Sequence, residues 1–324
     1  MTPAPAELQL LDLEPAASDF LAEAIAGLSS DPRTLPSKFF YDERGSELFQ
    51  EICALPEYYV TRTETEILQQ NIAAMAQSIG TGAELVGFGT GAGIKTRMLL
   101  ECLEEPVAYV PVDISKQRLV QSAEELAIAM PHLEILPVCA DYMQSMRLPT
   151  PARQPAHVAV YFPGSTIGNL EPATARGFLQ RVCRLCAPSG GLLIGVDLQK
   201  PREILEAAYN DSAGVTAAFN LNLLVRANRE LGADFALEQW QHRAIYNEIE
   251  SRIEMHLISE RAQTIHLGGH AFEFAAGEKI ITEFSYKHTV AGFTALAESA
   301  GFQLSRTWTD PQQWFAVFHF TVPE

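Results

Sequence analysis

A chain of 324 residues, 47% of them hydrophobic, is long enough for one large domain carrying an insertion or for two domains. Asp and Glu outnumber Lys and Arg by 40 to 23, for a formal net charge of −17. So acidic a chain lacks the basic face by which nucleic acid or an anionic membrane surface recruits protein, whereas a small cationic ligand remains compatible.

The N-terminal stretch "MTPAPAELQLLDLEPAASDF" has neither the basic region nor the sustained apolar core of a signal peptide. No window reaches the roughly 20 apolar residues of a membrane span. Five cysteines, at 53, 102, 139, 183 and 186, form an odd set suited to reduced thiols, and a cytoplasmic setting is expected. Residues 16 to 80 read as helical. Thr63, with Glu66 three residues on, has the form of a capping box and is expected to open a helix running to about Ser78.

From there strand, turn and helix repeat. "ELVGFG" is a short apolar strand and "IKTRMLLECL" a helix; "VAYVPVD" is a strand followed by the helix "SKQRLVQSAEELAIAM", with Ser115 as its expected cap. "LEILPVCAD" and "HVAVYFPG" read as strands, "ARGFLQRVCRLCA" as an amphipathic helix and "GGLLIGVDL" as a strand. Apolar runs of this length alternating with helices indicate an α/β fold built on a doubly wound parallel sheet. Cys183 and Cys186 form a CxxC on that helix, with no second cysteine pair to complete a metal site.

The rhythm breaks at about residue 200. Two helical stretches, "PREILEAAYN" and "AGVTAAFNLNLLVRANREL", precede longer antiparallel-looking strands, "RIEMHLISERAQTIHL", "AFEFAAG" and "KIITEFSYKHT". In "HLGGH" the glycines suggest a hairpin turn rather than a helix face with two metal-binding histidines, and no metal is expected. A helix, "VAGFTALAESAG", and strands at "QLSRTWTD" and "WFAVFHFTV" close the chain. The expected organisation is a Rossmann-like domain of residues 63–199 and 288–324, with 1–62 and 200–287 forming a second, smaller α+β domain.

"LVGFGTGAGIKT" places Gly87, Gly89, Gly91 and Gly93 between the first strand and its helix, where backbone can approach a ligand and the helix N-terminus exposes N–H donors. The position is a nucleotide site in open α/β sheets. Gly87, Gly89 and Ala92 also satisfy the dinucleotide pattern GxGxxA, weak evidence by itself. Asp113, ending the second strand, suits a ribose diol with either cofactor, and Asp141, ending the third, suits an adenine amine. An acid at both positions favours S-adenosylmethionine over NAD. In "KIITEFSYKHT", Glu283 and Ser285 share a face while Phe284 and Tyr286 project the other way, which taken alone describes a solvated strand face.

The stretch "LPSKFFYDERGSELFQEICALPEYYVTRTETEIL", with "KTRMLL", "PVDIS", "FPGSTIGNL", "AYNDSAGVTAAFN", "RIEM" and "FEFAAGEKIITEFS", resembles the ergothioneine-pathway L-histidine Nα-methyltransferases from about residue 25 to the C-terminus. The resemblance implies a class I, Rossmann-like methyltransferase domain with a substrate domain. It also implies trimethylation of the α-amino group of L-histidine by S-adenosyl-L-methionine, giving hercynine for ergothioneine biosynthesis and releasing S-adenosyl-L-homocysteine. On the cofactor side the family's turn glycine falls on Gly89, its lysine on Lys95, its ribose acid on Asp113 and its adenine pair on Asp141 and Tyr142. On the substrate side Tyr58, Asn169 and Tyr209 match residues that hold the α-carboxylate and amine. Glu283 and Ser285 match a pair that hydrogen-bonds the imidazole, and Met255 matches an apolar wall of that pocket. Tyr41 matches a tyrosine near the reacting amine, so Tyr41 and Asn169 are the catalytic candidates.

One departure stands out. Family members read E-L-G-S-G ahead of the lysine where this chain reads "GFGTG", with Gly87 in place of an acid, and a cofactor loop of different shape or affinity is expected. Two other readings compete: a methyltransferase of the same fold acting on another amine such as a tryptophan derivative, and an NAD-dependent oxidoreductase. An apolar residue at 283 would signal an indole, and Glu283 argues against it. The expected partner is L-histidine, with no nucleic acid or membrane, and the expected state a monomer.

Overall fold

The structure, a computed structural model, describes residues 8–13, 19–89 and 93–323. A two-residue strand β1 (Leu11–Asp12), helix α1 (Phe20–Leu28), a 3-10 turn (Ser37–Phe40) and helices α2 (Glu43–Cys53) and α3 (Tyr59–Ile79) come first. Strand β2 (Ala83–Phe88), α4 (Ile94–Cys102), β3 (Ala108–Asp113), α5 (Lys116–Ala129), the short β4 (Glu134–Ile135) and β5 (Val138–Cys139), β6 (His157–Phe162), a 3-10 turn (Thr166–Asn169), α6 (Pro172–Cys186) and β7 (Gly191–Asp197) follow. The insertion contains α7 (Arg202–Tyr209), α8 (Val215–Leu231), β8 (Trp240–Asn247), β9 (Arg252–Ser259), β10 (Gln263–Leu267), β11 (His270–Phe274) and β12 (Lys279–Tyr286). Helix α9 (Val290–Glu298) and the hairpin β13 (Gln303–Thr309) and β14 (Phe315–Thr321) complete the chain.

The main sheet runs β1-β5-β3-β2-β6-β7-β14-β13, with β4 also on β3; β14 pairs antiparallel with both β7 and β13, and the other pairs are parallel. This is the doubly wound α/β arrangement expected from the alternation of apolar runs with helices. The period of two sorts its side chains onto two faces. Leu85, Tyr109, Ala159, Tyr161 and Leu193 pack against Ile67, Leu68 and Met75 of α3 and Leu99 of α4. Their sequence neighbours Val86, Val110, Val160, Phe162 and Ile194 pack against Phe178, Leu179 and Val182 of α6 and Phe293 of α9. A wholly buried Phe of this kind contributes about 1.5–3 kcal/mol over an exposed one. Strand β2 has β3 on one side and β6 on the other, so the order reverses there and a crevice opens beyond the carboxyl ends of these strands.

The insertion forms a second sheet, β12-β9-β8, and a separate β10–β11 hairpin whose turn residues Gly268 and Gly269 have φ of 57° and 81°, as "HLGGH" suggested. Helix α8 packs on β8, β9 and α2. The chain before α2 adds itself to the edge of β12: Ile281 N–H donates to Arg33 O and Leu35 N–H to Ile281 O, both at 2.9 Å. At its other end β12 runs into the main sheet, where His288 N–H donates to Asp197 O at 3.1 Å and Gln199 N–H to His288 O at 2.9 Å. These two joints hold β12 across the crevice.

Several local expectations are corrected. Helix α3 starts at Tyr59, so Thr63 is buried within it and is no cap; the turn Leu55–Tyr58, closed by Tyr58 N–H to Leu55 O, starts the helix earlier. The third strand of the sequence reading breaks into β4 and β5, because Pro137 has no N–H to give a ladder. "RIEMHLISERAQTIHL" is two strands, β9 and β10, rather than one. Gly87 lies inside β2, opposite Pro111 and Tyr161, and not in the turn; Gly91 and Ala92 lie outside the described residues.

Candidate active site

Gly89 follows β2 with φ 54°, a left-handed conformation that favours glycine, and a Cβ there would stand 3.8 Å from the Tyr142 ring. Its N–H donates to Val112 O at 3.2 Å, which ties the turn to β3. At the end of β3 the Asp113 carboxylate accepts from Ser115 N–H at 2.8 Å, so Asp113 serves the start of α5 and Ser115 makes no side-chain cap. Asp141 accepts from Met143 N–H at 2.8 Å in the same way. Tyr142 stacks on Phe88 at 5.6 Å and meets Phe162 edge-on at 5.7 Å. Burial, and then the neighbouring charges of Asp113 and Asp141, push its hydroxyl up to about 12.

Gly89, Asp113, Asp141 and Tyr142 therefore stand together at the switch-point crevice. Two carboxylate acceptors beside an aromatic ring fit the O–H and N–H donors of a ribose diol and an adenine. Lys95, in the first turn of α4, is ion-paired with Glu64 of α3. Glu64 is 1% exposed and also accepts Gly164 N–H at 2.9 and 3.0 Å. It leans over Gly195 so closely that a Cβ there would meet its Oε1 at 2.0 Å.

Across the crevice, Glu283 and Met255 are directly opposed on β12 and β9, so their side chains share a face. A bulge at Thr282 sets this register, and the Thr282 hydroxyl is taken up by Asn220 Oδ1 at 2.7 Å and Met255 O at 3.1 Å. Met255 is buried. Glu283 is partly buried and has no hydrogen bond or ion pair among the described residues; desolvation pushes its carboxyl up to about 7, against the opposing pull of the Lys287 charge.

Three tyrosines lie within electrostatic reach of that carboxylate. Tyr58 precedes α3, Tyr209 ends α7, and their rings meet edge-on at 6.1 Å. Tyr41 ends the 37–40 turn with its ring 5.6 Å from Phe49 and 5.8 Å from Phe219. Desolvation first, and then nearby charge with Glu283 foremost for Tyr41 and Tyr209 foremost for Tyr58, raises both hydroxyls above the ordinary tyrosine value. Tyr41 is 42% exposed and solvent screens much of this, but the direction leaves both protonated at neutral pH. Glu283, Tyr142 and Tyr209 all lie within electrostatic reach of Tyr41, which joins the cofactor and substrate sides.

Asn169 ends the 166–169 turn after β6, and this turn is pressed on β12: a Cβ on Gly168 would lie 2.9 Å from Tyr286 O. Its side chain makes no hydrogen bond among the described residues. Ser285 is buried, with its Oγ 3.0 Å from the Tyr209 hydroxyl.

Behind this pair lies a charge cluster that the sequence reading missed. Asp197, at the end of β7, accepts from Lys287 at 2.8 Å, Lys200 at 2.5 Å and the Tyr59 hydroxyl at 2.8 Å, and its own N–H donates to Ser165 Oγ at 2.9 Å. Burial opposes the charge of Lys287, but Asp197 and Tyr209 outweigh it and hold the ammonium protonated; Lys200, buried beside a like charge, falls to about 8. A signal for Lys287 was present, since the alternation that pairs Glu283 with Ser285 continues to residue 287. Glu64 gave none, being one acid among several on a helix. Cys186 is buried with its thiol donating to Gly191 O at 3.1 Å, and among the described residues no group of three or more His, Cys, Asp or Glu is placed to hold a metal ion. No helix among them is long and apolar enough to cross a membrane.

Comparison with known proteins identifies the family. The chain is 40% identical over 306 residues to the histidine N-alpha-methyltransferase of Mycolicibacterium smegmatis, covering 91% of this chain and 94% of that protein. It is 39% identical over 294 residues to the histidine N-alpha-methyltransferase of Mycobacterium tuberculosis, covering 89% and 90%. Ergothioneine biosynthesis protein 1 of Neurospora crassa is 29% identical over 285 residues, which cover 86% of this chain and 32% of that much longer protein. The family described as histidine-specific, SAM-dependent methyltransferase matches residues 20–322, and the chain belongs to it.

Proposed function

We propose that this enzyme transfers methyl groups from S-adenosyl-L-methionine to the α-amino group of L-histidine, three times, giving Nα,Nα,Nα-trimethyl-L-histidine (hercynine) for ergothioneine biosynthesis. The observation that carries the assignment of the site is Glu283: a partly buried carboxylate with no hydrogen bond or ion pair among the described residues, raised to about 7, within electrostatic reach of Tyr41, Tyr58 and Tyr209 and directly opposed to Met255. Such a group calls for an N–H donor on the ligand, which a neutral imidazole supplies together with a ring-nitrogen acceptor and a plain aromatic ring does not. An indole also has one N–H, but it leaves the second polar position, Ser285, without a partner.

The bound cofactor supplies its own activated methyl on a sulfonium. Asp113 is assigned to the ribose diol, Asp141 and Tyr142 to the adenine, and Gly89 and Lys95 to the remainder of the cofactor. Tyr58, Asn169 and Tyr209 are assigned to the amino acid's carboxylate and amine, with Tyr41 beside the amine. A free α-amine, with a reference pKa near 8, is mostly protonated at neutral pH and must lose a proton before it attacks. Tyr41 and Tyr58 stay protonated, so they orient the amine and do not act as bases. The proton leaves to water at the Tyr41 rim, the side of the site that is open to solvent.

Residues 1–62 with 200–287 are assigned as the substrate domain and 63–199 with 288–324 as the cofactor domain; the start of α3 at Tyr59 favours moving the first boundary to that residue. A monomer is the proposed working unit. The five cysteines are free, in keeping with a reducing cytoplasm as its proposed setting.

The test is a turnover assay with L-histidine and S-adenosyl-L-methionine, products resolved by mass, alongside calorimetry with S-adenosylhomocysteine and with NADH. Mono-, di- and trimethylated histidine and binding of S-adenosylhomocysteine alone are expected. Methylation of tryptophan in preference to histidine, or binding of NADH, overturns the reading.

A further inference from the structure

Lys287 touches two residues of the substrate pocket without facing the cleft as a free group. Its Nζ lies 2.8 Å from Asp197 Oδ2, 2.7 Å from Ser285 Oγ and 3.1 Å from the Tyr209 hydroxyl. An ammonium has three protons and accepts nothing, so these contacts use its whole capacity and make both hydroxyl oxygens acceptors. The hydroxyls also face each other at 3.0 Å, and either can donate across that gap.

In both arrangements the count is the same. One hydroxyl hydrogen is spent between Tyr209 and Ser285, and the oxygen that receives it has then accepted twice. That same oxygen keeps the remaining hydrogen, which is free to donate. The pair therefore presents a single O–H donor and no second donor, whichever way the internal bond runs.

We propose that Lys287 is a positioning residue for substrate recognition: with Tyr209 donating to Ser285, Ser285 has accepted twice and offers only its O–H to the imidazole, Glu283 stands beside it as the acceptor, and Tyr209 keeps a lone pair for the amine. The inference rests on the histidine reading above and deepens it. One donor beside one acceptor is complementary to a neutral imidazole, which carries one ring nitrogen of each kind, and it opposes imidazolium, which has two donors. Asp197 is the anchor that holds the ammonium, and Lys200 and Tyr59 complete the shell of that carboxylate. The groups facing Glu283 are Lys287, just past the end of its strand, and Tyr41, Tyr58 and Tyr209 from other elements.

The experiment is steady-state kinetics of the full chain against pH, with calorimetry of S-adenosylhomocysteine. In Lys287→Met the hydroxyl pair loses its charged donor, and kcat/KM for histidine is expected to fall roughly 10- to 100-fold, mainly through KM. The acid limb of its pH profile should move upward by roughly a unit, because the cation that favours the Glu283 carboxylate is gone. Affinity for S-adenosylhomocysteine should stay within about twofold, since no cofactor residue is touched. A purely structural Lys287 would lower stability and cofactor affinity together without moving the limb.

Lys287→Arg keeps the charge and replaces three divergent protons by a planar fork. Its acid limb should match the wild type while KM for histidine remains raised, and it decides the matter by itself if Lys287→Met does not fold. Wild-type KM and limb in Lys287→Met, or wild-type KM in Lys287→Arg, overturn the inference. A wild-type enzyme that does not methylate histidine at all overturns the function reading instead.

Discussion

Glu283→Gln separates function from stability in opposite directions. The ordinary glutamate value is 4.5 and desolvation raises this carboxyl to about 7, so the native state holds its proton where the unfolded chain releases it. Native protein binds more protons than unfolded protein between those values, and stability falls as pH rises through that window. At about 1.4 kcal/mol per pH unit the full displacement is worth about 3 kcal/mol, and partial solvent access reduces it, leaving about 1–3 kcal/mol of destabilisation above pH 7. Glutamine has nearly the same shape and no charge to desolvate. In denaturant titrations without ligands the variant should exceed the wild type by about 1–3 kcal/mol at about pH 8, and the gain should shrink toward zero as the pH falls below about 5. Its kcat/KM for histidine should fall by about 10- to 100-fold, the cost of losing one hydrogen bond to a charged acceptor. Equal stability of the two proteins at both pH values, or a variant less stable at about pH 8, would refute the desolvated carboxylate and with it the assignment of Glu283 as imidazole acceptor.

Other positions carry sharper local claims. Tyr41→Phe, which removes the rim hydroxyl near the amine, should change the ratio of mono-, di- and trimethylated product more than the KM for histidine; an unchanged product ratio by mass spectrometry counts against a role for that hydroxyl. Glu64→Gln removes the charge that pairs with Lys95 and is expected to weaken S-adenosylhomocysteine binding by about tenfold, the worth of a charge-assisted hydrogen bond, with little effect on histidine KM at saturating cofactor; calorimetry showing wild-type affinity would remove Glu64 from the cofactor side. Gly168→Ala places a Cβ 2.9 Å from Tyr286 O and should cost about 1–3 kcal/mol of stability as the turn lifts from β12, raising histidine KM because Asn169 moves with it. A melting temperature and KM equal to the wild type would show that the contact gives way freely.

The parallel sheet was legible because its strands are apolar on both faces and alternate with helices, a pattern that few other architectures produce. Helix starts were less legible: Thr63 and Glu66 have the residue types of a cap, but α3 had begun four residues earlier, where the turn at Leu55–Tyr58 aims the chain. The break of one strand into β4 and β5 was foreseeable from Pro137 alone. Of the site, the acid ending β3, the acid just after β5 and the alternation of Glu283 with Ser285 could be read locally, since strand ends and strand faces are set by the nearest neighbours in the chain. The family resemblance then supplied Tyr41, Tyr58, Asn169 and Tyr209, which no local pattern distinguishes from packed tyrosines or a capping asparagine.

Sequence by itself determined the period-two faces, the glycine turn after the first strand and the acidic character of the cofactor side, because each depends on residues a few positions apart. Tertiary structure alone decided which charges are buried together. Asp197, Lys200 and Lys287 come from the end of β7, the segment beyond it and the segment after β12, and they meet only because β12 is tied to the main sheet at His288. Glu64 reaches Lys95 and Gly164 only because α3 lies across β7 and β14. Electrostatics depends on distance through space and on exclusion of water, so the same Glu283 that reads as a surface residue along the chain becomes, in the fold, a carboxyl held near neutrality at the centre of the site.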